Sequence, residues 1–199
     1  MSKKIIITGG LGYIGTELCK IYSGVSWNNK IVVIDNRFIS ERVNQIRNWN
    51  MDFVHGDILD KELIKKHFKD ADIVHHLAGI TDVPRTQNDS SDIKDKKIKE
   101  VAEKGTQNIL DTINNDCKII FPSTHVVYEG IDPIQTEISE NEKVKPILAY
   151  STSKALNEKQ LKNSGKNYII LRLGSVYGYS TDTTRIDIMP NLFSKISSQ

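Results

Sequence analysis

The sequence predicts an α/β fold built on a doubly wound parallel sheet with helices on both faces. Two observations support this class. Short runs that are almost wholly apolar alternate with longer segments of helical character, as expected of strands that are buried on both sides. A glycine-rich turn joins the first apolar run to the first helical segment. Because crossovers between parallel strands are right-handed, the helices would cover both faces of the sheet.

The apolar runs predict six strands, which are Lys4–Thr8, Lys30–Ile34, Asp52–Val54, Ile73–His76, Lys118–Pro122 and Tyr168–Arg172. The segments between them predict four helices, which are Tyr13–Tyr22, Lys61–Phe68, about Asp92–Ile113 and Ala149–Lys162. A further short helical segment is expected over Asn191–Ile196. In sheets of this type ligands bind beyond the carboxyl ends of the strands. The residues directly after each strand are therefore the candidates for a functional site.

Composition suits a globular protein of one domain, or of one domain plus a fragment, since 38% of the 199 residues are hydrophobic and 26% are charged. A net charge of +2 gives no electrostatic argument for a nucleic-acid partner. The sequence has no apolar run of about 18 residues, so no membrane span is expected. The chain leads directly into its first strand, and Cys19 and Cys117 are isolated. We therefore expect no signal peptide, no disulfide framework and a cytoplasmic location.

The segment Thr8–Gly15 has the spacing of a dinucleotide-binding turn. Its glycines fit two templates, Gly10-x-Gly12-x-x-Gly15 and the looser Gly9-x-x-Gly12-x-x-Gly15. The first turn of a helix has unpaired N–H groups and the positive end of the helix dipole, and glycine lets a diphosphate approach that backbone. The alternative interpretation is a structural glycine turn in another kind of α/β protein.

Asp35 favours a dinucleotide as the ligand of this turn. It closes the second strand, twenty positions after Gly15. A carboxylate there would accept hydrogen bonds from the adenosine ribose hydroxyls and would repel a 2′-phosphate. This predicts a Rossmann-type domain that binds NAD rather than NADP, although Arg37 nearby would offset part of the charge.

Two further strands end in candidate cofactor contacts. After the third strand, Asp57 could meet the adenine amino group while Ile58 packs against the base. The alternative role for Asp57, the N-cap of the next helix, suits Asp60 better. The fourth strand is followed by small residues that would let a cofactor lie against the backbone, although a tight turn explains them equally well. These residues are Leu77, Ala78 and Gly79.

Tyr150 and Lys154 are candidates for acid–base chemistry because they are four residues apart and share one helix face. A phenol titrates at about pH 10 in water, and an ammonium group one turn away would lower that pKa. The positive ring of an oxidised nicotinamide would lower it further, which would make Tyr150 a usable general acid or base. Thr124, at the end of the fifth strand, would place a hydroxyl at the mouth of the same cleft. No metal site is predicted, since the adjacent His75 and His76 would point to opposite faces of a strand.

Taken together, these motifs resemble the extended short-chain dehydrogenase/reductase family, and most closely its NAD-dependent sugar-nucleotide epimerases and dehydratases, such as the UDP-glucose 4-epimerases. The matching segments occur in the family's order and cover nearly the whole chain. They are Thr8–Gly15, Asp35-Asn36, Gly56-Asp57-Ile58, His76–Gly79, Gly105-Thr106, Ser123-Thr124, Val127-Tyr128, Pro146, Tyr150, Ser153-Lys154, Leu171-Arg172 and Val176-Tyr177-Gly178.

The resemblance implies roles for these residues. Tyr150 would be the catalytic acid/base, Lys154 would bind the nicotinamide ribose, and Thr124 would hydrogen-bond the substrate hydroxyl. A hydride would pass from a sugar carbon to tightly bound NAD, giving a keto-sugar, and an epimerase would return it to the other face. The substrate would be a nucleotide-sugar, and the helices near Asp92–Ile113 and at Tyr150 would form a homodimer. The implied cofactor-binding residues are Gly9, Gly12, Tyr13, Ile14, Asp35, Asn36, Asp57, Ile58, Leu77, Ala78, Gly79, Tyr150 and Lys154.

The chain also departs from the family pattern. His125-Val126 stand where dehydratases carry an Asp-Glu pair, which argues against 4,6-dehydration. Ala102 and Ser175 each replace a usual asparagine, the first linked to active-site order and the second to substrate contact. The family usually continues for a further hundred or more residues. We therefore expect residues 1–178 to form the NAD-binding domain and residues 179–199 to be the start of a truncated substrate-binding region.

Two other functions stay open on the sequence. The chain could be an NAD(P)-dependent reductase of another carbonyl compound, or a non-catalytic NAD-binding protein or fragment. The presence of Thr124, Tyr150 and Lys154 favours an enzyme, because a pure binding protein has no need of them.

Overall fold

The structure is a computed structural model that describes residues 2–25, 28–81, 92–133, 135–181, 185 and 188–198. Its six strands are β1 (Lys4–Thr8), β2 (Lys30–Asp35), β3 (Asp52–His55), β4 (Ile73–His76), β5 (Lys118–Thr124) and β6 (Asn167–Leu173). Its helices are α1 (Tyr13–Ser23), α2 (Ser40–Asn48), α3 (Lys61–Phe68), α4 (Asp92–Thr112), α5 (Ala149–Asn163) and α6 (Met189–Ser197), with a 3₁₀ turn at His125–Tyr128.

All six strands are parallel and form one sheet in the order β3-β2-β1-β4-β5-β6. The order reverses at β1, from which the chain first builds outward through β2 and β3 and then crosses to β4. This confirms the predicted doubly wound Rossmann-type fold. At the centre, Thr8 is in register with Ile34 on one side and with His76 on the other. The carboxyl ends of β1, β2 and β4 therefore meet at one edge of the sheet.

Successive side chains along each strand point to opposite faces of the sheet and pack into two separate hydrophobic cores. Ile6 of β1 lies on the face covered by α3, α4 and α5, with Phe68, Ile109 and Leu161. Ile5 and Ile7 lie on the opposite face, which α1 and α2 cover. All of these side chains are fully buried, and burial of each contributes roughly 1.5–3 kcal/mol before entropic costs. The two cores fix the strand register, since a one-residue slip would exchange the faces.

Helix α2 was not predicted. Its sequence is strongly polar, and it buries two apolar side chains, Val43 and Ile46, three residues apart. One such pair is too short a periodic signal to identify a helix. Helix α6 begins two residues before the predicted segment, with Pro190 in its first turn, where proline is tolerated. Residues 186 and 187, part of the predicted substrate region, lie outside the described residues, and the domain boundary at residue 178 stays a prediction.

Two surface features complete the description. Strand β6 forms one edge of the sheet, and its Tyr168, Ile169 and Leu171 are partly exposed. Within the described ranges, no helix has the length and the apolar character needed to cross a membrane.

Candidate active site

The glycine turn brings the end of β1 against the end of β4. Gly9 has φ +68°, a conformation that favours glycine, and its N–H donates to the Ile34 carbonyl at 2.8 Å. A Cβ atom on Gly9 would lie 2.8 Å from the backbone nitrogen of Ala78, and one on Gly15 would lie 2.3 Å from the carbonyl oxygen of Gly9. Both positions are therefore closed to any larger residue, and both belong to the looser glycine template.

Helix α1 begins at Tyr13 directly after this turn. Gly12 is its N-cap, and no side chain of the described residues caps it. The first turn contains no acidic residue that would compete with an anion. The phenol of Tyr13 is hydrogen-bonded to the carbonyl of Gly178 and receives the amide of Asn191 at 3.0 Å. The backbone N–H groups of Tyr13 and Ile14, rather than the Tyr13 side chain, are thus the groups available to a diphosphate.

Asp35 is held rigidly beside the turn. One carboxylate oxygen accepts the Leu11 N–H at 2.9 Å, and the other accepts the Arg37 N–H at 2.9 Å. The side chain is 5% exposed, and Nε of Arg37 lies 3.5 Å from Oδ1. Two of roughly four acceptor positions are used by the backbone, so the carboxylate can still accept from ribose hydroxyls. The turn, the open end of α1 and Asp35 together fit a dinucleotide.

Asn36 and Asp57 come together as a hydrogen-bonded pair, with Nδ2 of Asn36 donating to Oδ2 of Asp57 at 3.0 Å. Asp60 caps α3 by accepting from the Glu62 and Leu63 N–H groups, which confirms that Asp57 is not the cap. The Ile58 side chain is largely buried, and a Cβ on Gly105 would lie 2.3 Å from its Cδ1. Its packing against an adenine ring stays a prediction.

The end of β4 is adjacent to the glycine turn. The N–H of Leu77 donates to the Thr8 carbonyl at 3.2 Å, and the N–H of Ala78 donates to Oγ1 of Thr8 at 3.0 Å. Among the described residues, nothing lies within 4 Å of a Cβ placed on Gly79. This segment therefore presents open backbone at the edge where the cofactor turn lies.

A buried network of hydrogen bonds, which was not predicted, connects the end of β1 to helix α5. His76 bonds Oγ1 of Thr8 through Nδ1 at 3.1 Å and Oγ1 of Thr106 through Nε2 at 3.0 Å. Nδ2 of Asn157 on α5 donates to the same Thr106 hydroxyl at 3.0 Å. Burial, with a smaller effect of Lys154, lowers the pKa of His76 to about 3. His75 points to the other face and pairs with the Tyr22 hydroxyl at 2.7 Å, as predicted for adjacent strand residues.

The three predicted catalytic residues lie on β5 and α5. Thr124 ends β5, is 7% exposed, and accepts the Val126 N–H at 3.2 Å. This bond uses an oxygen lone pair, so the hydroxyl can still donate. Nζ of Lys154 lies 5.9 Å from the centre of the Tyr150 ring, and both residues are on one face of α5. The same ammonium donates to the Pro122 carbonyl at 2.8 Å and lies 4.5 Å from the centre of the Phe121 ring.

The pKa shifts differ from the expectation that Lys154 lowers the pKa of Tyr150. Burial raises the pKa of Tyr150, and the charge of Arg185 opposes that shift. Burial lowers the pKa of Lys154 to about 8. The physical reason is that Lys154 directs its ammonium to the Pro122 carbonyl and the Phe121 ring, while loss of water dominates at the phenol.

Glu158, which was not predicted from the sequence, anchors α5 beside Thr124. Its Oε1 accepts from the Ser123 hydroxyl at 2.6 Å, and Arg172 of β6 donates to its two oxygens at 2.9 and 2.6 Å. Burial would raise the pKa of Glu158, but the bonds from Arg172 and Ser123 hold it below the usual value. Its position four residues after Lys154 was the one available signal. Ala102 stands where the family usually has an asparagine, and its backbone carbonyl accepts a hydrogen bond from the side-chain amide of Asn157 at 2.9 Å.

A Rossmann-type sheet and a glycine turn with an acidic partner define a dinucleotide-binding protein, and the Tyr150/Lys154 pair lies at the same edge of the sheet. Comparison with known sequences gives the family. The NAD dependent epimerase/dehydratase family matches residues 5–199, and the chain belongs to it. This match confirms the prediction of NAD as the cofactor.

Individual relatives have related but distinct activities. The chain is 34% identical over 197 residues to dTDP-D-glucose 4,6-dehydratase of Dictyostelium discoideum, covering 88% of this chain and 44% of the relative. It is 31% identical to a putative UDP-glucose 4-epimerase of Methanocaldococcus jannaschii, and the match covers 89% of this chain and 57% of the relative. A crystal structure of UDP-glucuronic acid 4-epimerase from Bacillus cereus in complex with NAD superposes with a TM-score of 0.77 at 26% identity. The superposition covers 98% of this chain and 62% of the epimerase chain. The chain thus spans about half the length of the curated relatives it matches.

Proposed function

We propose that this chain is the NAD-binding part of an enzyme that acts on a nucleotide-activated sugar through a keto-sugar intermediate. The observation that carries the proposal is the joint presence of Thr124, Tyr150 and Lys154 beside an intact cofactor turn. Bound NAD would supply the hydride acceptor. The substrate, the partners and the activity of the whole protein belong to the proposal.

Each residue has a distinct task in this scheme. The Tyr150 phenolic oxygen takes the proton of the sugar hydroxyl whose carbon loses hydride, and later returns it. Thr124 donates to the same sugar oxygen and orients it. Since burial raises the pKa of Tyr150, ionisation of the phenol depends on positive charge nearby, and the charge of Arg185 acts in that direction. The buried Glu158–Arg172 pair keeps α5 in place during these transfers.

Epimerisation is the reaction we favour. The residues after Thr124 are His125, whose Nδ1 lies 3.1 Å from the Leu173 carbonyl, and Val126. Neither is a carboxylic acid that could assist elimination of water, and elimination is the added step of a 4,6-dehydration. A carbonyl reductase that releases its cofactor in each cycle is the second candidate, and a binding protein without turnover is the third.

A panel assay separates these candidates. The purified chain would be analysed for retained nucleotide and incubated with UDP-, GDP- and dTDP-sugars, and the products would be identified by NMR. Retained NAD with an epimerised product supports the proposal. Consumption of added NADH or NADPH with a carbonyl compound supports the reductase, and bound NAD with no conversion supports the binding protein.

The Tyr150→Phe variant tests the mechanism. It should lower turnover by roughly 10²–10⁴-fold, the usual contribution of a positioned acid or base, because the phenol oxygen is the proton carrier. Tyr168→Phe, at a tyrosine near the start of β6 that is 37% exposed, is the matched control and should retain activity. Unchanged turnover in Tyr150→Phe would refute the mechanism.

A homodimer is a further part of the proposal. Helices α4 and α5 pack side by side, with Asn157 donating to the Ala102 carbonyl and Gln160 to the Glu103 carbonyl at 3.0 Å. Two copies that met at these helices would form a four-helix contact. Sedimentation of the purified chain distinguishes a dimer, which we expect, from a monomer.

A further inference from the structure

Helix α5 carries Tyr150 in its first turn, yet its own sequence does not cap that turn. Leu148 is the N-cap residue, and no side-chain hydrogen bond from this position satisfies the helix. The first N–H groups of a helix lack intrahelical partners and need an acceptor from elsewhere. The position of Tyr150 therefore depends on whatever group satisfies the start of α5.

Glu129, from another segment of the chain, supplies an acceptor to the N-cap residue Leu148 and to Ile147 before it. A single oxygen, Oε1, accepts the N–H of Ile147 at 2.7 Å and the N–H of Leu148 at 2.7 Å. The hydroxyl of Ser151 also bonds this oxygen, and Ser151 is fully buried. Three donors around the start of the helix thus converge on one carboxylate oxygen. A negative charge at a helix N-terminus is also favourable to the helix dipole.

The position of Glu129 in the chain links this contact to Thr124. The 3₁₀ turn that Thr124 caps ends at Tyr128, and Glu129 is the next residue. Two backbone bonds join the same segments, from Lys145 N–H to the Val127 carbonyl and from Gly130 N–H to the Lys145 carbonyl, each 2.9 Å. The carboxylate is thus the side-chain element of a short bridge between the segment of Thr124 and the start of α5.

The far part of α5 is held independently. Glu158 ties it to Ser123 at 2.6 Å and to Arg172, and Leu161 is fully buried in the core. Loss of the Glu129 contact should therefore release the first turn of α5 and leave the rest of the helix in place. Such a local change would displace Tyr150 relative to Thr124 without unfolding the domain.

We propose that Glu129 is a positioning residue, which sets the place of the Tyr150 phenol relative to Thr124 by holding the first turn of α5. Its catalytic consequence rests on the function proposed above. Its structural consequence does not, since the contact exists whatever the substrate is. The acceptor oxygen matters here, so glutamine should substitute for glutamate, whereas alanine should not.

The experiment compares Glu129→Ala with Glu129→Gln, and uses Glu142→Ala at an exposed glutamate as the matched control. Amide hydrogen exchange at Ile147 and Leu148, and the ring signal of Tyr150, are followed by NMR on the purified chain. In Glu129→Ala we expect these two amides to exchange at least roughly tenfold faster than in wild type. We also expect a shifted Tyr150 signal. Glu129→Gln and the control should resemble wild type. Amides beyond Glu158 should keep their protection in every variant.

Turnover with the nucleotide-sugar found in the panel assay gives a second readout. Glu129→Ala should lower kcat by roughly 10- to 100-fold, as expected for a displaced catalytic group, with KM within about twofold of wild type. Glu129→Gln should recover kcat to within a few-fold. If the wild-type chain converts no sugar, the proposed function fails, and the NMR measurements still decide the role of Glu129.

Two results would overturn the proposal. One is an unchanged exchange rate and Tyr150 signal in Glu129→Ala. The other is an equal effect of alanine and glutamine, which would mean that the acceptor oxygen does not hold the helix. Should Glu129→Ala fail to fold, Glu129→Asp takes its place, because the shorter side chain draws the carboxylate away from the Ile147 and Leu148 N–H groups. Unchanged exchange at these two amides in that variant would equally count against the proposal.

Discussion

The cofactor turn and the start of α5 lie at the same edge of the sheet but are built in different ways. At the turn, shape comes from the backbone, since Gly9 and Gly15 are closed to a Cβ by neighbouring main-chain atoms. At α5, shape comes from side chains, because Glu129 and Glu158 tie the helix to the Thr124 segment. Substitutions that add a side chain at these glycines should therefore weaken cofactor binding. Substitutions that shorten Glu129 or Glu158 should instead lower catalytic activity.

The largest effect on cofactor binding is expected from Gly9→Ala, which tests the turn that the backbone shapes. The new Cβ would meet the Ala78 nitrogen at 2.8 Å, so the turn must move away from β4. NAD affinity, measured by calorimetric titration, should fall roughly 100-fold, which is about 2.7 kcal/mol.

Gly165→Ala is the matched control for this change. Gly165 has nearly the same backbone angle, φ +69°, but within the described structure a Cβ there has no neighbour inside 4 Å. It should lose about 1–2 kcal/mol of folding stability from the backbone alone and keep its NAD affinity. Equal NAD affinities in the two variants would mean that the contact with Ala78 is unimportant.

The second prediction concerns His76, which connects the two regions. Its pKa is about 3 in the folded chain against an ordinary value of 6.5. Between these values the unfolded chain binds a proton that the folded chain does not, so stability falls as pH drops through this window. For this residue the loss between pH 7 and pH 5 should be about 2 kcal/mol.

Urea unfolding of wild type and His76→Gln at both pH values measures this contribution. The wild-type free energy of unfolding should fall by more than that of the variant, whatever the absolute stability of the variant. Parallel pH dependences in the two proteins would show that His76 is not held neutral by burial.

A smaller effect is expected at Asp35. Asp35→Asn keeps the shape of the side chain but removes its charge, so it should weaken repulsion of a 2′-phosphate and weaken the bonds to ribose hydroxyls. The ratio of NAD to NADP affinity should fall about tenfold, or about 1.4 kcal/mol. Asp52→Asn, at the opposite end of the neighbouring strand, is the control. A ratio that does not change in Asp35→Asn would remove Asp35 from cofactor selection.

The same contrast explains what the sequence could predict. All six strands lie within two residues of their predicted bounds, because an apolar run is a local signal. The glycine turn and Asp35 were also found, since their spacing is short and fixed. Helix α2 was missed because only Val43 and Ile46 mark its buried side.

The parts of the candidate site that were not predicted from the sequence are long-range contacts. Glu129 acts on residues 18 to 22 positions further along the chain, and His76 reaches Thr8 and Thr106 at separations of 68 and 30. No periodicity or local motif records such pairs. The direction of the Tyr150 pKa was wrong for a related reason, since helix spacing alone does not reveal that Lys154 is directed to Pro122.

An NMR titration of the purified chain with NAD tests the account most directly. We predict saturable binding of one NAD per chain, with the largest shifts at the amides of Gly12, Tyr13 and Ile14 and a clear shift at Tyr150. This result would place the cofactor between the backbone-built turn and the side-chain-built helix. Absence of saturable binding, or shifts confined to residues away from the glycine turn, would contradict the account.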